Sequence, residues 1–415
     1  MGWRSVGWLA RPRVGPLLGL LLGLGLLLLL ALALVVGPAR ASGKGGGAAR
    51  VSESASSSTR SASQPRAALN GIGAVTPAAR LPATHVAGTP TVRALVGQRF
   101  VVALSGTTPS PALLGRIRRG EIGGVILFGS NVVGPAQLRR LTTTLQAAAR
   151  DARRPPLLIT TDQEGGKVRR LPWAGPLPSA TALGRLGPRA IRSEALAAGK
   201  ALRLAGVNVN LAPVADVPRS GSFMALEERT FAGSPAAAAR ATVAFAGGLA
   251  EARVAAAVKH FPGIGRASRN TDRTAVDLAV NRQELARSDL VPFRAAIAGG
   301  VPIVMISNAT YPALDSKPAP WSTKVQSLLR DDLGFRGVTI SDALDGAAST
   351  RGRALPSVAA LAAEAGVDLL LLTGSEASSA AAFERVADTA ERGRISRAAL
   401  EASYRRIMTL KRAFG

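Results

Sequence analysis

Three short strings concentrate the groups in this chain that could bind and transfer: Asp162-Gln163-Glu164-Gly165-Gly166, Lys259-His260-Phe261-Pro262-Gly263 and Ser341-Asp342. Each comes after an apolar, β-branched run, and two more such runs lead to Asp216 and to Ser307-Asn308. A lone carboxylate closing a strand is most often a helix cap or a loop acceptor. Five polar strand ends in one chain argue for a shared site. Asp162, Arg170, Arg229, Lys259 and His260 suit charged hydrogen bonding to the hydroxyls of a sugar. Asp342 is placed to attack an anomeric carbon. Other chemistries lack their parts. There is no G-x-S-x-G elbow for a serine hydrolase, and no cluster of residues at metal-ligand spacing, so neither a metal nor a cofactor is expected.

Such strand ends need a scaffold that brings them to one side. Strands are predicted at 99–105, 123–128, 157–162, 207–212, 254–260, 303–308, 337–342 and 368–373. Helices are predicted between them, at 135–150, 191–205, 235–252, 323–332, 357–365 and 376–390. Continuous apolar strands alternating with helices indicate a parallel sheet buried on both faces. Eight units match a TIM-like (β/α)8 barrel, whose site is built at the carboxyl ends of the strands. An open doubly wound sheet is the alternative. It would carry a glycine-rich phosphate loop after its first strand, and Ser105–Gly115 (SGTTPSPALLG) is no such loop.

Composition narrows the function further. The formal net charge is +26, yet aromatic residues make up only 4% and the arginines are dispersed, so nucleic acid is not the expected partner. Cysteine is absent, which removes disulfides, thiolate sites and a lipidated cysteine. The two histidines, His85 and His260, are too few for a histidine metal site. At the start, Arg4, Arg11 and Arg13 precede an apolar run from Pro16 to Gly37, and Ala39-Arg40-Ala41 comes next. This reads as an export segment over 1–41. Both a cleaved signal peptide and an uncleaved anchor contacting the membrane stay open, with the remainder secreted or held on the outer face of the cytoplasmic membrane. Residues 42–92, rich in Ser, Ala, Gly, Thr and Pro, read as a disordered low-complexity linker, leaving 93–415 as the barrel.

At these same residues the chain resembles glycoside hydrolase family 3, and within it the single-domain bacterial β-N-acetylglucosaminidases. The matching segments are GGVILFGSN (123–131), LLITTDQEGGKVRRL (157–171), GVNVNLAPVADV (206–217), ERTFAGSP (228–235), VKHFPGIG (258–265), YPALD (311–315) and LGFRGVTISDAL (333–344). The resemblance implies retaining hydrolysis of a terminal β-linked sugar. N-acetylglucosaminide is the first expectation and β-glucoside the second, taken from a cell-wall-derived polymer or an oligosaccharide. It implies Asp342 as nucleophile, and Asp162, Arg170, Arg229, Lys259 and His260 as ligands of the non-reducing-end sugar.

The acid/base loop departs from the family pattern. Where relatives carry an Asp-Ser-His dyad, this chain has Asn270 and Asp272; Ile264 and Asn308 stand where histidines are frequent. Larger relatives draw a glutamate from a second domain, and none is expected after Gly415. Three readings stay open: Asp272 is the acid/base, a partner chain supplies the group, or the barrel is degenerate and binds sugar or cell-wall glycan without cleaving it.

Overall fold

The structure, a computed structural model, describes residues 90–415 apart from residue 232; the expected export segment and linker lie outside them, except for the linker's last residues. Eight parallel strands form the sheet: β1 (Phe100–Ala103), β2 (Gly124–Leu127), β3 (Leu158–Thr161), β4 (Val209–Asn210), β5 (Ala255–Phe261), β6 (Ile303–Ile306), β7 (Val338–Ser341) and β8 (Leu370–Leu372). Their order around the sheet is 7-6-5-4-3-2-1-8. The ring closes between β8 and β7. Ser341 N donates to Leu369 O at 2.9 Å, Leu369 N to Thr339 O at 2.8 Å, and Leu371 N to Ser341 Oγ at 2.9 Å.

Side chains alternate across each strand. Val101 and Ala103 point into the barrel with Ile126, Leu158, Val209, Ile303, Met305 and Ile340, while Phe100 and Val102 face the helices. Both faces are dry, which is why the strands read as unbroken apolar runs.

The helices after successive strands are α1 (Pro111–Arg119), α2 (Pro135–Asp151), α3 (Pro188–Leu204), α4 (Pro235–Glu251), α5 (Val291–Ala298), α6 (Thr323–Ser327, continued by a π turn to Asp332), α7 (Leu355–Glu364) and α8 (Glu376–Glu391); α9 (Arg397–Phe414) ends the chain. Ser110 and Ser234 cap α1 and α4 and each precedes a proline at the first helical position, a pairing that satisfies orphan amides and presets φ. Gly120 then ends α1 in the left-handed conformation at φ 79°. None of α1, α5 and α9 is among the helices expected from the sequence. Helix α9 sends Ile407 and Leu410 into the barrel's inner core and so closes its floor. Among the described residues, no helix is long and apolar enough to cross a membrane.

Strand β4 is the shortest, because two asparagines take over ladder bonds from the backbone. Asn208 Oδ1 accepts from Ile159 N at 2.8 Å and its Nδ2 donates to Leu157 O at 3.1 Å. Asn210 repeats the pattern two residues on, accepting from Gln163 N and donating to Gln163 O, both at 2.9 Å. The string VNVN thus fixes β3 and the residue just after Asp162.

Candidate active site

The expected site residues converge at the carboxyl end of the barrel. Lys259, within β5, puts Nζ 2.7 Å from Asp162 Oδ1 and 2.7 Å from Glu164 Oε1. Arg229 forks onto Glu164, with Nε to Oε2 at 2.9 Å and Nη2 to Oε1 at 2.8 Å. Arg170 Nη2 stands 3.8 Å from Asp162 Oδ2, with its guanidinium 6.0 Å from the Phe128 ring centre. Asp162 and Lys259 sit at strand ends as expected. Arg170 and Arg229 do not project from strands: Arg170 comes after a small hairpin (163–165 with 168–169), and Arg229 after the short helix Phe223–Leu226.

Three cations around one carboxylate would be poorly compensated, and buried charges need partners. The missing partner is Glu164, which is absent from the expected set although it lies inside the same motif as Asp162. Burial pushes the Glu164 carboxyl up, but the attraction of Arg229 and Lys259 overcomes this and holds it well below the usual range. Burial likewise pulls the two cations down, and the carboxylates win. Glu164 raises Arg229, and Asp162 with Glu164 raises Lys259 above its ordinary value. The excess of cations over acids in the expected set is the signal that could have found Glu164.

His260 is turned by a second residue missing from the expected set. Its Nδ1 lies 2.7 Å from Asp216 Oδ2, while Asp216 Oδ1 accepts from Ile264 N at 2.7 Å. Asp216, fully buried, therefore orients the imidazole and anchors the loop leaving β5.

Asp342 immediately succeeds β7, where its N–H donates to Ile306 O at 2.8 Å and its Oδ1 accepts from Ala343 N at 2.8 Å. Its charge contributes to holding Arg229 above its usual value. Asp272 lies on the loop after β5, and that loop is docked on the segment behind Asp342. Ala347 N donates to Asp272 O at 2.8 Å and Ala348 N to Thr271 O at 3.1 Å. Asp272 N in turn donates to Asn270 Oδ1 at 2.8 Å, so Asn270 shapes the turn. Asp272 keeps solvent contact, yet enough protein surrounds its carboxyl that burial, then the like charge of Asp342, pushes it up to about 6. Asn308 is buried and donates from Nδ2 to Ala343 O at 2.7 Å. Ile264 is buried in the apolar core, so neither position offers a proton-transfer group.

Likeness to known proteins agrees with this geometry. Residues 96–410 match the glycosyl hydrolase family 3 N terminal domain. A secreted glycosyl hydrolase of Arthroderma benhamiae is 36% identical over 325 residues, 76% of this chain and 92% of that one. A beta-hexosaminidase of Nitrosomonas eutropha is 34% identical over 283 residues, 66% of this chain and 80% of that one. Among solved structures, a family 3 beta-N-acetylglucosaminidase from Paenibacillus superposes with a TM-score of 0.76 at 34% identity, over 78% of this chain and 63% of that chain. This chain thus spans less than two thirds of the Paenibacillus enzyme. A beta-N-acetylhexosaminidase from Beutenbergia cavernae superposes with a TM-score of 0.72 at 32% identity, over 78% of this chain and 99% of that chain. A match that runs from before the first barrel strand into the last helix settles the relationship: this chain, a glycoside hydrolase, belongs to glycosyl hydrolase family 3.

Proposed function

We propose that this glycoside hydrolase removes terminal β-linked N-acetylglucosamine with retention, by way of a covalent aspartyl intermediate, and that it works after export from the cytoplasm. The observation that carries the reading is Asp272, a carboxyl pushed up to about 6 by burial and by Asp342, on a loop pinned to the segment just beyond Asp342. A pair of carboxyls of which one holds its proton longer is what retaining hydrolysis needs.

In the first step the Asp342 carboxylate attacks the anomeric carbon while Asp272 gives its proton to the leaving oxygen. The glycosidic C–O bond breaks and an ester to Asp342 forms. In the second step the Asp272 carboxylate takes a proton from water, which attacks the same carbon and frees the sugar and Asp342. Asp162, Arg170, Arg229, Lys259 and His260 hold the sugar's hydroxyls, and Glu164 keeps the cations in place. The name of the Paenibacillus relative supports N-acetylglucosaminide as substrate, that of the Nitrosomonas relative supports a β-hexosaminide, and that of the Arthroderma relative supports export.

The barrel has its own closed core and covers 99% of the Beutenbergia chain, so residues 91–415 serve as the test protein. They are expected to release nitrophenol from an aryl β-N-acetylglucosaminide faster than from the β-glucoside, and Asp342→Ala is expected to abolish release. Measurable N-acetylglucosamine binding with no release by the native protein would instead select a sugar-binding barrel.

A further inference from the structure

Gln163 sits between Asp162 and Glu164 but cannot touch a substrate, being fully buried. Its side chain is hydrogen-bonded throughout to the excursion that returns to the barrel mouth. Oε1 accepts from Arg170 N at 2.9 Å and from Leu171 N at 3.0 Å. Nε2 donates to Leu171 O at 3.1 Å, to Ala174 O at 2.9 Å and to Gly175 O at 3.1 Å. Both lone pairs of the amide oxygen are used, and its two N–H groups serve three carbonyls, so the amide has one sensible orientation. The backbone of the same residue is gripped on both sides by the Asn210 amide. Two buried amides in series therefore connect β4 to Gln163, and Gln163 to the peptide of Arg170. The Arg170 Nε is buried and without a partner, while its Nη2 stands 3.8 Å from Asp162 Oδ2.

We infer that Gln163 is a positioning residue for substrate recognition, acting through Arg170: it sets the place from which the guanidinium meets the sugar and Asp162. The inference rests on the reading that Arg170 grips the sugar. Misplacing a binding group by a fraction of its reach lowers affinity for ground state and transition state alike, which shows in KM and leaves kcat little changed. A purely architectural residue would lower the amount of folded protein and leave KM alone.

The test is a double-mutant cycle in residues 91–415, with KM and kcat on an aryl β-N-acetylglucosaminide and the Kd of N-acetylglucosamine as readouts. Arg170→Ala is expected to raise KM and Kd by about 10–100-fold, the range for a hydrogen bond from a charged group. Gln163→Met, similar in length but without hydrogen-bonding groups, is expected to raise both by about tenfold with kcat within about twofold. Added to Arg170→Ala, it is expected to raise KM by no more than about twofold further. Gln163→Asn keeps both the acceptor and the donor on a shorter stem and should raise KM less than the Met variant; it replaces that variant if Met does not fold. An Arg170→Ala variant with native KM overturns both the sugar-gripping role of Arg170 and the inference. A raised KM in Arg170→Ala with a native KM in the Gln163 variants, or full additivity, overturns the inference alone.

Discussion

Lys259 Nζ lies 2.7 Å from Glu164 Oε1, and each side chain is 3% exposed. A pair so dry has lost its hydration, and it persists because the same ammonium also meets Asp162 and the same carboxylate also accepts the fork of Arg229. Asp162, Glu164, Arg229 and Lys259 are thereby joined in one network. Removing any member leaves an uncompensated charge behind it.

Glu164→Gln should therefore destabilise the barrel by about 3–5 kcal/mol, as expected when one partner of a buried ion pair is lost. The native carboxyl is held below its unfolded value, so its contribution is complete above about pH 4.3 and declines as the pH falls toward the folded value. Denaturant titrations at pH 7 and pH 3 should show the gap between variant and native protein narrowing in acid. A gap that stays the same at both values would remove Glu164 from the role of counter-ion.

Asp272 must carry its proton to act as the acid, and it loses that proton as the pH rises through about 6. The kcat/KM profile for a substrate with a poor leaving group should fall above that value. Asp272→Ala should flatten this limb and slow such substrates by about 10²–10⁴-fold, while activated aryl glycosides, which need little protonation, slow far less. Equal slowing of both kinds of substrate would exclude Asp272 as the acid.

The fold was legible because both faces of the strands are buried, which produces short, mostly apolar β-branched runs alternating with helical stretches. Helices α1, α5 and α9 were not, α5 being only 8 residues long. Helices α1 and α9 each show the core only a narrow stripe, Leu113 and Ile117 in one and Leu400, Ile407 and Leu410 in the other, among several arginines. At the site, Asp162, Lys259, His260 and Asp342 were legible because a rigid strand determines where its terminal side chains project. Gln163, Glu164 and Asp216 bond to groups brought back from 170–175, from 229 and from 260–264. Such returns depend on loop geometry that spacing does not encode.

Gly265 shows how closely those loops meet. A Cβ there would lie 2.0 Å from Val217 O, against backbone that cannot swing aside. Gly265→Ala should cost about 1–3 kcal/mol or more and displace the loop carrying Asp272. Gly129→Ala, where a Cβ would meet nothing within 4 Å and φ lies outside the left-handed region, is the control and should unfold with the native midpoint. Thermal unfolding of the two variants side by side checks both expectations.

Lys411 is buried in α9 with the amide oxygen of Gln98 at 2.6 Å, and burial pushes its ammonium down to about 7. Between that value and about 10.4 the unfolded chain holds a proton that the folded chain does not, so stability rises with pH across this window. Lys411→Met removes the slope. Relative to the native protein, the variant should gain stability as the pH falls from about 10 toward about 7, by at most about 1.4 kcal/mol per unit. Parallel curves for the two proteins across that range would show Lys411 charged in both states.

Helix α9 seals one end of the barrel and tightly packed side chains fill its middle, so among the described residues no passage runs from the mouth to the opposite end. A polymer cannot be threaded through such a blind well. Free product and incoming substrate would then compete for the same threshold.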